Sequence, residues 1–236
     1  MNQKNMIEPN KISCIGFIMD GNRRWAKNRG KRGLEGHSEG YKKLKEILGW
    51  VKEEGINDAI VYAFSTENWK RTEEEVGALM KLLTYALSNE VESLVKQGVR
   101  LKFIGDLSLF NPSFRQMLNK AELETKENIP LTLTVALSYG GRAEIIHAVK
   151  EISILPKEEL EKIDEETFKK FLWTGETADP DLIIRTGGEL RMSNFLPYQS
   201  VYSELFFTKT LWPDFGRAEF DSILKEFRDR KRNHGK

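Results

Sequence analysis

The residue types best suited to chemistry in this chain follow its first apolar run. Residues 12–19 are typical of a buried strand, and the segment after them consists of Asp20, Gly21, Asn22, Arg23, Arg24 and Trp25. A carboxylate such as that of Asp20 can hold a divalent cation, and arginine forks bind phosphate oxygens. An Asp-Gly turn after a strand is also common without any function. The segment therefore indicates a functional site only if similar polar groups follow other strands later in the chain.

Similar polar groups follow four more apolar runs, in residues 65–71, 105–106, 138–142 and 185–191. The carboxyl ends of parallel strands lie at one edge of a sheet, which is where ligands bind in open parallel sheets. We therefore expect five arginines near a single edge, namely Arg24, Arg71, Arg142, Arg185 and Arg191. Such an accumulation indicates a ligand with much negative charge, for example two diphosphates or one triphosphate.

A magnesium ion is the expected cofactor, because Mg²⁺ typically bridges a carboxylate to phosphates. Asp20 and Glu204 are the candidate oxygen ligands. The sequence has no GxxxxGK[ST] loop, which excludes a P-loop nucleotide site. It also has no GxGxxG after the first strand, so a dinucleotide-binding fold is poorly supported.

Length and composition are those of a globular protein with a sizeable core. The chain has 236 residues, of which 39% are hydrophobic, and a formal net charge of +1. A general nucleic-acid-binding protein would usually be strongly basic, so no nucleic-acid partner is expected. Cys14 is the only cysteine, which fits a reducing compartment. No signal peptide or spanning segment is evident, so we expect a cytoplasmic protein, with transient membrane-surface contact left open.

Short apolar runs alternate with helical patterns along the whole chain. Six strands are predicted, over residues 12–19, 59–64, 99–104, 131–137, 182–184 and 204–207. Five long helices are predicted, over residues 38–54, 72–97, 114–126, 143–152 and 218–230, with a solvated helix pair in 157–170. This alternation predicts one α/β domain, residues 1–236, in which a mostly parallel sheet is flanked by helices. Residues 1–11 and 231–236 are expected to be flexible tails.

The predicted helix over residues 72–97 is apolar over a wide face, and Phe64, Trp69 and Phe103 are expected near the same edge. A charged mouth that leads into an apolar interior would suit an amphiphilic substrate. Taken alone, such a face is more often simply core.

Several motifs in order resemble those of the cis-prenyltransferase family, in particular the bacterial isoprenyl transferases. They cover most of the chain and comprise residues 20–26, 36–37, 62–71, 181–195, 203–205 and 211–215. The resemblance implies a homodimer with a hydrophobic tunnel that condenses isopentenyl diphosphate onto an allylic diphosphate. The products would be Z-polyprenyl diphosphates, such as undecaprenyl diphosphate from a farnesyl primer.

The resemblance also implies roles for particular residues. Asp20 would be the central acid and a Mg²⁺ contact, and Glu204 a second metal contact. Asn68 matches the position of proton removal, although a carboxamide is a very weak base that would more readily orient a proton-accepting oxygen. The expected allylic diphosphate site consists of Gly21, Asn22, Arg23, Arg24, Trp25, His37, Ser65, Thr66, Glu67, Trp69 and Arg71. The expected isopentenyl diphosphate clamp consists of Arg185, Arg191, Met192 and Ser193.

Two other functional classes are weighed against this one. A non-catalytic partner subunit of the same fold would be expected to lose the first acid and the arginine clamp, whereas Asp20 and Arg185 are present. A phosphoryl-transfer enzyme is opposed by the missing P-loop and by the aromatic residues near the expected mouth. One departure from the family pattern is Gly33, which stands where an arginine is frequent, with Arg32 beside it.

Overall fold

The computed structural model describes residues 11–230, which form an α/β fold around one six-stranded sheet. The strands are β1 (Cys14–Ile18), β2 (Asp58–Ser65), β3 (Val99–Ile104), β4 (Leu131–Tyr139), β5 (Leu182–Arg185) and β6 (Glu204–Phe207). Their spatial order is β3-β4-β2-β1-β5-β6, and every pairing is parallel. The predicted architecture is confirmed. The tails predicted to be flexible lie, apart from Lys11, outside the described residues.

The helices that connect the strands are α1 (Asn22–Asn28), α2 (Gly33–Glu53), α3 (Glu73–Asn89), α4 (Val91–Lys96), α5 (Pro112–Thr125), α6 (Gly141–Ser153), α7 (Lys157–Leu160) and α8 (Glu165–Lys169), and α9 (Arg217–Asp229) follows the last strand. Short 3₁₀ helices cover Thr66–Lys70, Leu107–Leu109 and Trp212–Asp214. Thr72 caps α3 by accepting the N–H of Glu75 at 3.3 Å. Helix α1 directly after the first strand was not predicted.

The prediction of one continuous helix over residues 72–97 is wrong in one respect. The segment divides into α3 and α4 at Glu90, which ends one helix and begins the next. The carboxylate of Glu90 lies 3.2 Å from Nζ of Lys45 on α2. A periodic apolar pattern continues across such a break, because both helices cover the same core.

The sheet is buried on both faces, which explains why its strands are nearly continuous apolar runs. On one face, side chains such as Phe17 and Val61 pack against α2 and α9. On the other face, Ile18 and Ile183 pack against Phe195 and Leu196. Because every strand pairing is parallel, the carboxyl ends of all six strands lie at one edge of the sheet.

Candidate active site at the mouth of an apolar cavity

Asp20, immediately beyond β1, lies between two arginines from different parts of the chain. Its Oδ1 accepts from Nη2 of Arg24 at 3.0 Å, and its Oδ2 accepts from Nη2 of Arg185 at 2.9 Å. The side chain of Arg185 is only 5% exposed, whereas that of Asp20 is 30% exposed. The carboxylate is therefore fixed in orientation but open to a ligand on one side.

Arg185, the last residue of β5, uses its second nitrogen to hold the following loop. Nη1 donates to Oγ of Ser193 at 2.7 Å and also to the backbone oxygen of Arg191. Its buried Nε has no partner among the described residues. Because Ser193 adopts a positive φ of 48°, the loop backbone is strained, and the guanidinium stabilises it.

Arg24 is held by the turn that follows β5. Its Nη1 donates to the backbone oxygen of Gly187 at 2.7 Å. Gly187 has a φ of 86°, and a Cβ there would lie 2.6 Å from Nη2 of Arg24. The position therefore requires glycine for both its backbone conformation and its contact with the arginine.

Helices α1 and α2 approach closely beside this acid. A Cβ on Gly36 would lie 2.0 Å from the backbone oxygen of Asn22, and a Cβ on Gly40 would lie 2.1 Å from Asn22 Oδ1. The two glycines, four residues apart on one face of α2, let the start of α1 sit against that helix. This contact fixes Asn22 at the edge of the site, where its buried Oδ1 has no partner among the described residues.

The loop after β2 forms the opposite side of the mouth. Oδ1 of Asn68 accepts the N–H of Ser65 at 3.1 Å in a capping box. Since this amide oxygen is already occupied, the Asn68 side chain can offer mainly its N–H groups to a ligand. Thr66 Oγ1 donates to Glu67 Oε2 at 3.2 Å, and Glu67 Oε1 accepts from Asn194 at 3.2 Å. Glu67 therefore contacts the loop that carries Ser193.

His37 on α2 faces this cationic mouth in its neutral form. Burial, together with the charges of Arg71 and Arg23, lowers its pKa from 6.5 to about 4. Burial and Arg23 likewise lower the pKa of Arg71 below its ordinary value. At neutral pH the imidazole can donate or accept one hydrogen bond without adding charge.

Behind the mouth lies a cavity of about 370 Å³ with a mostly apolar lining. Its charged and polar end consists of Asp20, Asn22, His37, Ser65, Asn68, Arg71, Arg185 and Ser193. Its apolar walls come from α2 (Tyr41, Leu44), α3 (Leu79, Leu82, Leu83, Leu87), α4 (Val91, Leu94), β3 (Leu101, Phe103) and β4 (Leu133, Val135, Leu137). The expected hydrophobic tunnel is present, and the charged mouth opens into it.

Other residues of the expected site lie outside the cavity lining. Trp25 is buried and donates to Asp214 at 2.7 Å, whereas Trp69 donates to Ser138 at 2.9 Å and contacts Phe64 edge to face. Met192 packs against the core beneath the sheet. These side chains stabilise the walls, and their substrate roles stay predictions.

Several arginines at the rim point to acidic neighbours. Arg23 lies 2.8 Å from Glu75 on α3, Arg191 pairs with Glu189, and Arg32 lies 3.5 Å from Glu35. The Arg23 and Arg191 side chains are more than half exposed, at 57% and 62%. Their charges remain available at the rim, because exposed ion pairs contribute little and are readily exchanged.

Glu204 does not lie at the same edge as Asp20. It is the first residue of β6 and pairs in register with Leu182, the first residue of β5, whereas Asp20 follows the carboxyl end of β1. Its carboxylate forms an ion pair with Arg230. The expectation that the two acids meet at one rim is wrong within a single chain, because Glu204 begins its strand. Its metal role stays a prediction.

The side chains at the mouth suit a Mg²⁺ ion shared with substrate better than an ion held by protein side chains alone. Among residues 11–230, no group of three His, Cys, Asp or Glu side chains is placed to hold an ion. Mg²⁺ is usually held by one or two carboxylates together with substrate phosphates. Asp20 offers one such oxygen beside Arg24 and Arg185, whose guanidinium groups are of a type that suits phosphate oxygens.

The comparisons with known proteins agree with this geometry. Residues 18–235 match the model of a prenyltransferase family described as "Putative undecaprenyl diphosphate synthase". The chain belongs to this family. A ditrans,polycis-undecaprenyl-diphosphate synthase of Wigglesworthia glossinidia brevipalpis is 44% identical over 96% of this chain and 88% of its own length.

Two solved structures have the same fold as this chain. Lavandulyl diphosphate synthase from Lavandula x intermedia, in complex with dimethylallyl diphosphate, superposes with a TM-score of 0.89 at 34% identity, over 95% of this chain and 98% of that one. A "probable undecaprenyl diphosphate synthase" from Campylobacter jejuni gives 0.81 at 36% identity, over 96% and 100%. Family membership confirms the resemblance found in the sequence motifs.

Sequence reasoning missed three contributors to this prenyltransferase site. The backbone oxygen of Gly187 orients Arg24, and Asn194 joins Glu67 to the loop after β5. The hydroxyl of Tyr62 donates to the backbone oxygens of Tyr139 at 3.1 Å and Ser193 at 3.4 Å. The motif over residues 181–195 contains both Gly187 and Asn194, so it gives some indication of these two. Tyr62 lies in a predicted strand, where a tyrosine is typical of ordinary core.

Proposed function

We propose that this chain catalyses magnesium-dependent, sequential condensation of isopentenyl diphosphate onto an allylic diphosphate, with farnesyl diphosphate as the primer. The product would be a long Z-polyprenyl diphosphate such as undecaprenyl diphosphate. The observation that carries this proposal is the position of Asp20, held by Arg24 and Arg185, at the mouth of an apolar cavity. Diphosphate groups fit the mouth, and a growing apolar chain fits the interior.

The arginines would promote the reaction by stabilising charge that develops on the leaving group. In the condensation, the allylic C–O bond breaks and a C–C bond forms to C4 of isopentenyl diphosphate. Negative charge grows on the departing diphosphate, so cations aimed at it bind the transition state more tightly than the ground state. Arg24 and Arg71 would take this role, and bound Mg²⁺, held by Asp20, would add Lewis-acid stabilisation.

The loop after β5 would position the second substrate. Arg185 fixes Ser193 and the backbone of Arg191, which would preorganise their polar groups for the diphosphate of isopentenyl diphosphate. A proton must then leave C2 of that substrate. The Asn68 oxygen accepts a backbone N–H, so Asn68 would orient a diphosphate oxygen that takes the proton.

A non-catalytic partner subunit is the competing function, and the site argues against it. Such a subunit needs only an apolar cavity, whereas here an acid, two arginines and a serine form one connected group. Keeping a buried arginine paired with a carboxylate costs desolvation, which lipid binding alone would not require.

A homodimer is the proposed assembly. Strand β6 is at the edge of the sheet, and its Leu205 and Phe207 are 37% and 36% exposed, beside Val201 at 69%. Apolar side chains on an open edge strand are covered in most proteins. Light scattering after size exclusion checks this, and a monomer at micromolar concentration would contradict it.

The environment of the protein follows from the same proposal. No helix within residues 11–230 has the length and apolarity needed to cross a membrane. We place the enzyme in the cytoplasm, with transient contact at the membrane surface when its long apolar product leaves.

The decisive experiment is incubation with Mg²⁺, radiolabelled isopentenyl diphosphate and either farnesyl or geranylgeranyl diphosphate, followed by sizing of the butanol-extractable product. We expect long products with farnesyl diphosphate and none without an allylic primer. A third reaction with dimethylallyl diphosphate alone tests for lavandulyl-type condensation. No extractable label with any primer would refute the proposal.

A further inference from the structure

A short segment after β6 supports the turn that holds Arg24. The N–H of Gly187 donates to the backbone oxygen of Thr210, and the N–H of Gly188 donates to that of Thr208, both at 2.7 Å. The Thr208 N–H in turn donates to the backbone oxygen of Arg185 at 2.9 Å. The turn after β5 therefore has its backbone fixed by residues 208–210.

The same segment reaches the backbone of the central acid. The N–H of Trp212 donates to the backbone oxygen of Asp20 at 3.0 Å, and Leu211 packs against Gly21. Thr186 Oγ1 donates to the same Asp20 oxygen at 2.7 Å. Residues 208–212 thus contact the backbone on both sides of the Asp20–Arg24 pair, and of these five residues only Trp212 lines the cavity.

Glu219 in the first turn of α9 is the anchor of this segment. Its Oε1 accepts from Oγ1 of Thr208 and, at 3.2 Å, from Oγ1 of Thr210. The N–H of Thr210 donates to Oγ1 of Thr208 at 3.1 Å, so the Thr208 hydroxyl is oriented from both sides. Oε1 of Glu219 therefore accepts from both threonine hydroxyls, and no ion pair of Glu219 is found within residues 11–230.

We propose that Glu219 is a positioning residue for the diphosphate-binding group, and this inference rests on the proposed function. It fixes Thr208 and Thr210, their backbone oxygens fix the Gly187–Gly188 turn, and the Gly187 oxygen holds Arg24 on Asp20. A carboxylate suits this task, because an ionised acceptor forms shorter and stronger hydrogen bonds than a neutral one. Outer groups of this kind determine how accurately the inner ligands are held.

The test is the affinity for inorganic diphosphate in the presence of Mg²⁺, measured by titration calorimetry on the full chain. Glu219→Ala should weaken binding about tenfold, the lower limit found when outer partners of a metal site are removed. Glu219→Gln, which keeps an acceptor oxygen at the same place, should stay within about threefold of the unchanged chain. Steady-state kinetics should show a matching rise in KM for the allylic diphosphate, larger than the fall in kcat.

Asp221→Asn is the matched control. Asp221 lies on the same helix and pairs with Arg217 at the surface, at 2.6 Å, away from residues 208–212. We expect no change in diphosphate affinity for this variant. An equal loss in Asp221→Asn and Glu219→Ala would mean that α9 acts only through stability, and it would overturn the proposal.

A second variant keeps the test valid if Glu219→Ala folds poorly. Thr210→Val keeps the branched shape and removes only the hydroxyl that donates to Glu219. It should weaken diphosphate binding in the same direction, and the double variant should lose less than the product of the two single losses, because both act through one contact. Independent losses, or unchanged affinity in both single variants, would overturn the inference. If the unchanged chain binds no diphosphate with Mg²⁺, the proposed function fails instead.

Discussion

Asp20 and Arg185 form an ion pair of 2.9 Å although they stand 165 positions apart in the chain. The pair joins the ends of two adjacent strands, β1 and β5, whose register places Ile18 opposite Arg185. Nearly all of the arginine is buried, while the carboxylate keeps an open side. The pair therefore combines a rigid anchor with a group that can still accept a ligand, and four predictions follow from it and from its surroundings.

Replacing Asp20 by Asn should greatly reduce turnover and also destabilise the fold. Turnover should fall at least about 100-fold, because the carboxylate that orients both arginines and holds the metal is lost. Stability should fall by about 3 kcal/mol, since the buried charge of Arg185 loses its counter-charge. Assays of turnover and of urea unfolding measure the two effects.

Glu92→Gln, in an exposed pair with Lys96, is the control and should change neither turnover nor stability. Turnover within tenfold of the unchanged chain would contradict the site assignment.

The neutral state of His37 predicts a loss of stability in acid. The folded-state pKa is about 4 and the ordinary value is 6.5, so between these pH values the unfolded chain binds a proton that the folded chain does not. The His37 contribution is complete above pH 6.5 and is lost as the pH falls towards 4, by up to about 3 kcal/mol.

Urea unfolding of the unchanged chain and of His37→Gln checks the role of this histidine. The difference in unfolding free energy between the two proteins should change from pH 7 to pH 4.5 in favour of the variant. This difference should stay constant between pH 7 and pH 8, where His37 is uncharged in both the folded and the unfolded chain. A constant difference over the whole range would show that His37 is not shielded from protons in the fold.

Gly36→Ala should push α1 away from α2. The new methyl group would lie 2.0 Å from the backbone oxygen of Asn22, an overlap that costs about 1–3 kcal/mol or more. Because Asn22 follows Asp20 by two residues, we expect turnover to fall at least about tenfold. Gly49→Ala is the matched control on the same helix, since no atom lies within 4 Å of its new methyl group. It should be neutral or stabilise by up to about 1 kcal/mol. Similar melting temperatures and activities for both variants would refute the close-contact argument.

Leu133→Trp should shorten the product. Leu133 is the third residue of β4, far from the carboxyl ends, so it lines the deep part of the cavity. A larger side chain there would stop the growing chain earlier and leave the first condensation intact. Thin-layer sizing of the products measures this. Leu123→Trp, at a position 73% exposed on α5, should leave product length unchanged. Equal product lengths from both variants would show that the chain grows elsewhere.

Much of the fold could be predicted from the sequence, because strands that are buried on both faces consist of nearly continuous apolar residues. All six predicted strands are present within two residues of their expected bounds, with β3 and β6 matching fully. The break between α3 and α4 at Glu90 could not be seen, since the apolar period continues through it. Helix α1 was missed because its seven residues carry charged and motif residues rather than an apolar face.

The sequence by itself determined the composition of the site, because a ligand-binding sheet places its polar groups directly after its strands. Asp20, Asn68, Arg71 and Arg185 follow or end their strands, and all four line the cavity mouth. Only the tertiary structure decided on which edge Glu204 lies, which side chains Arg24 and Arg185 contact, and that α2 forms a wall of the cavity. Those outcomes depend on register between distant strands and on the close approach at Gly36 and Gly40, which local residue patterns do not encode.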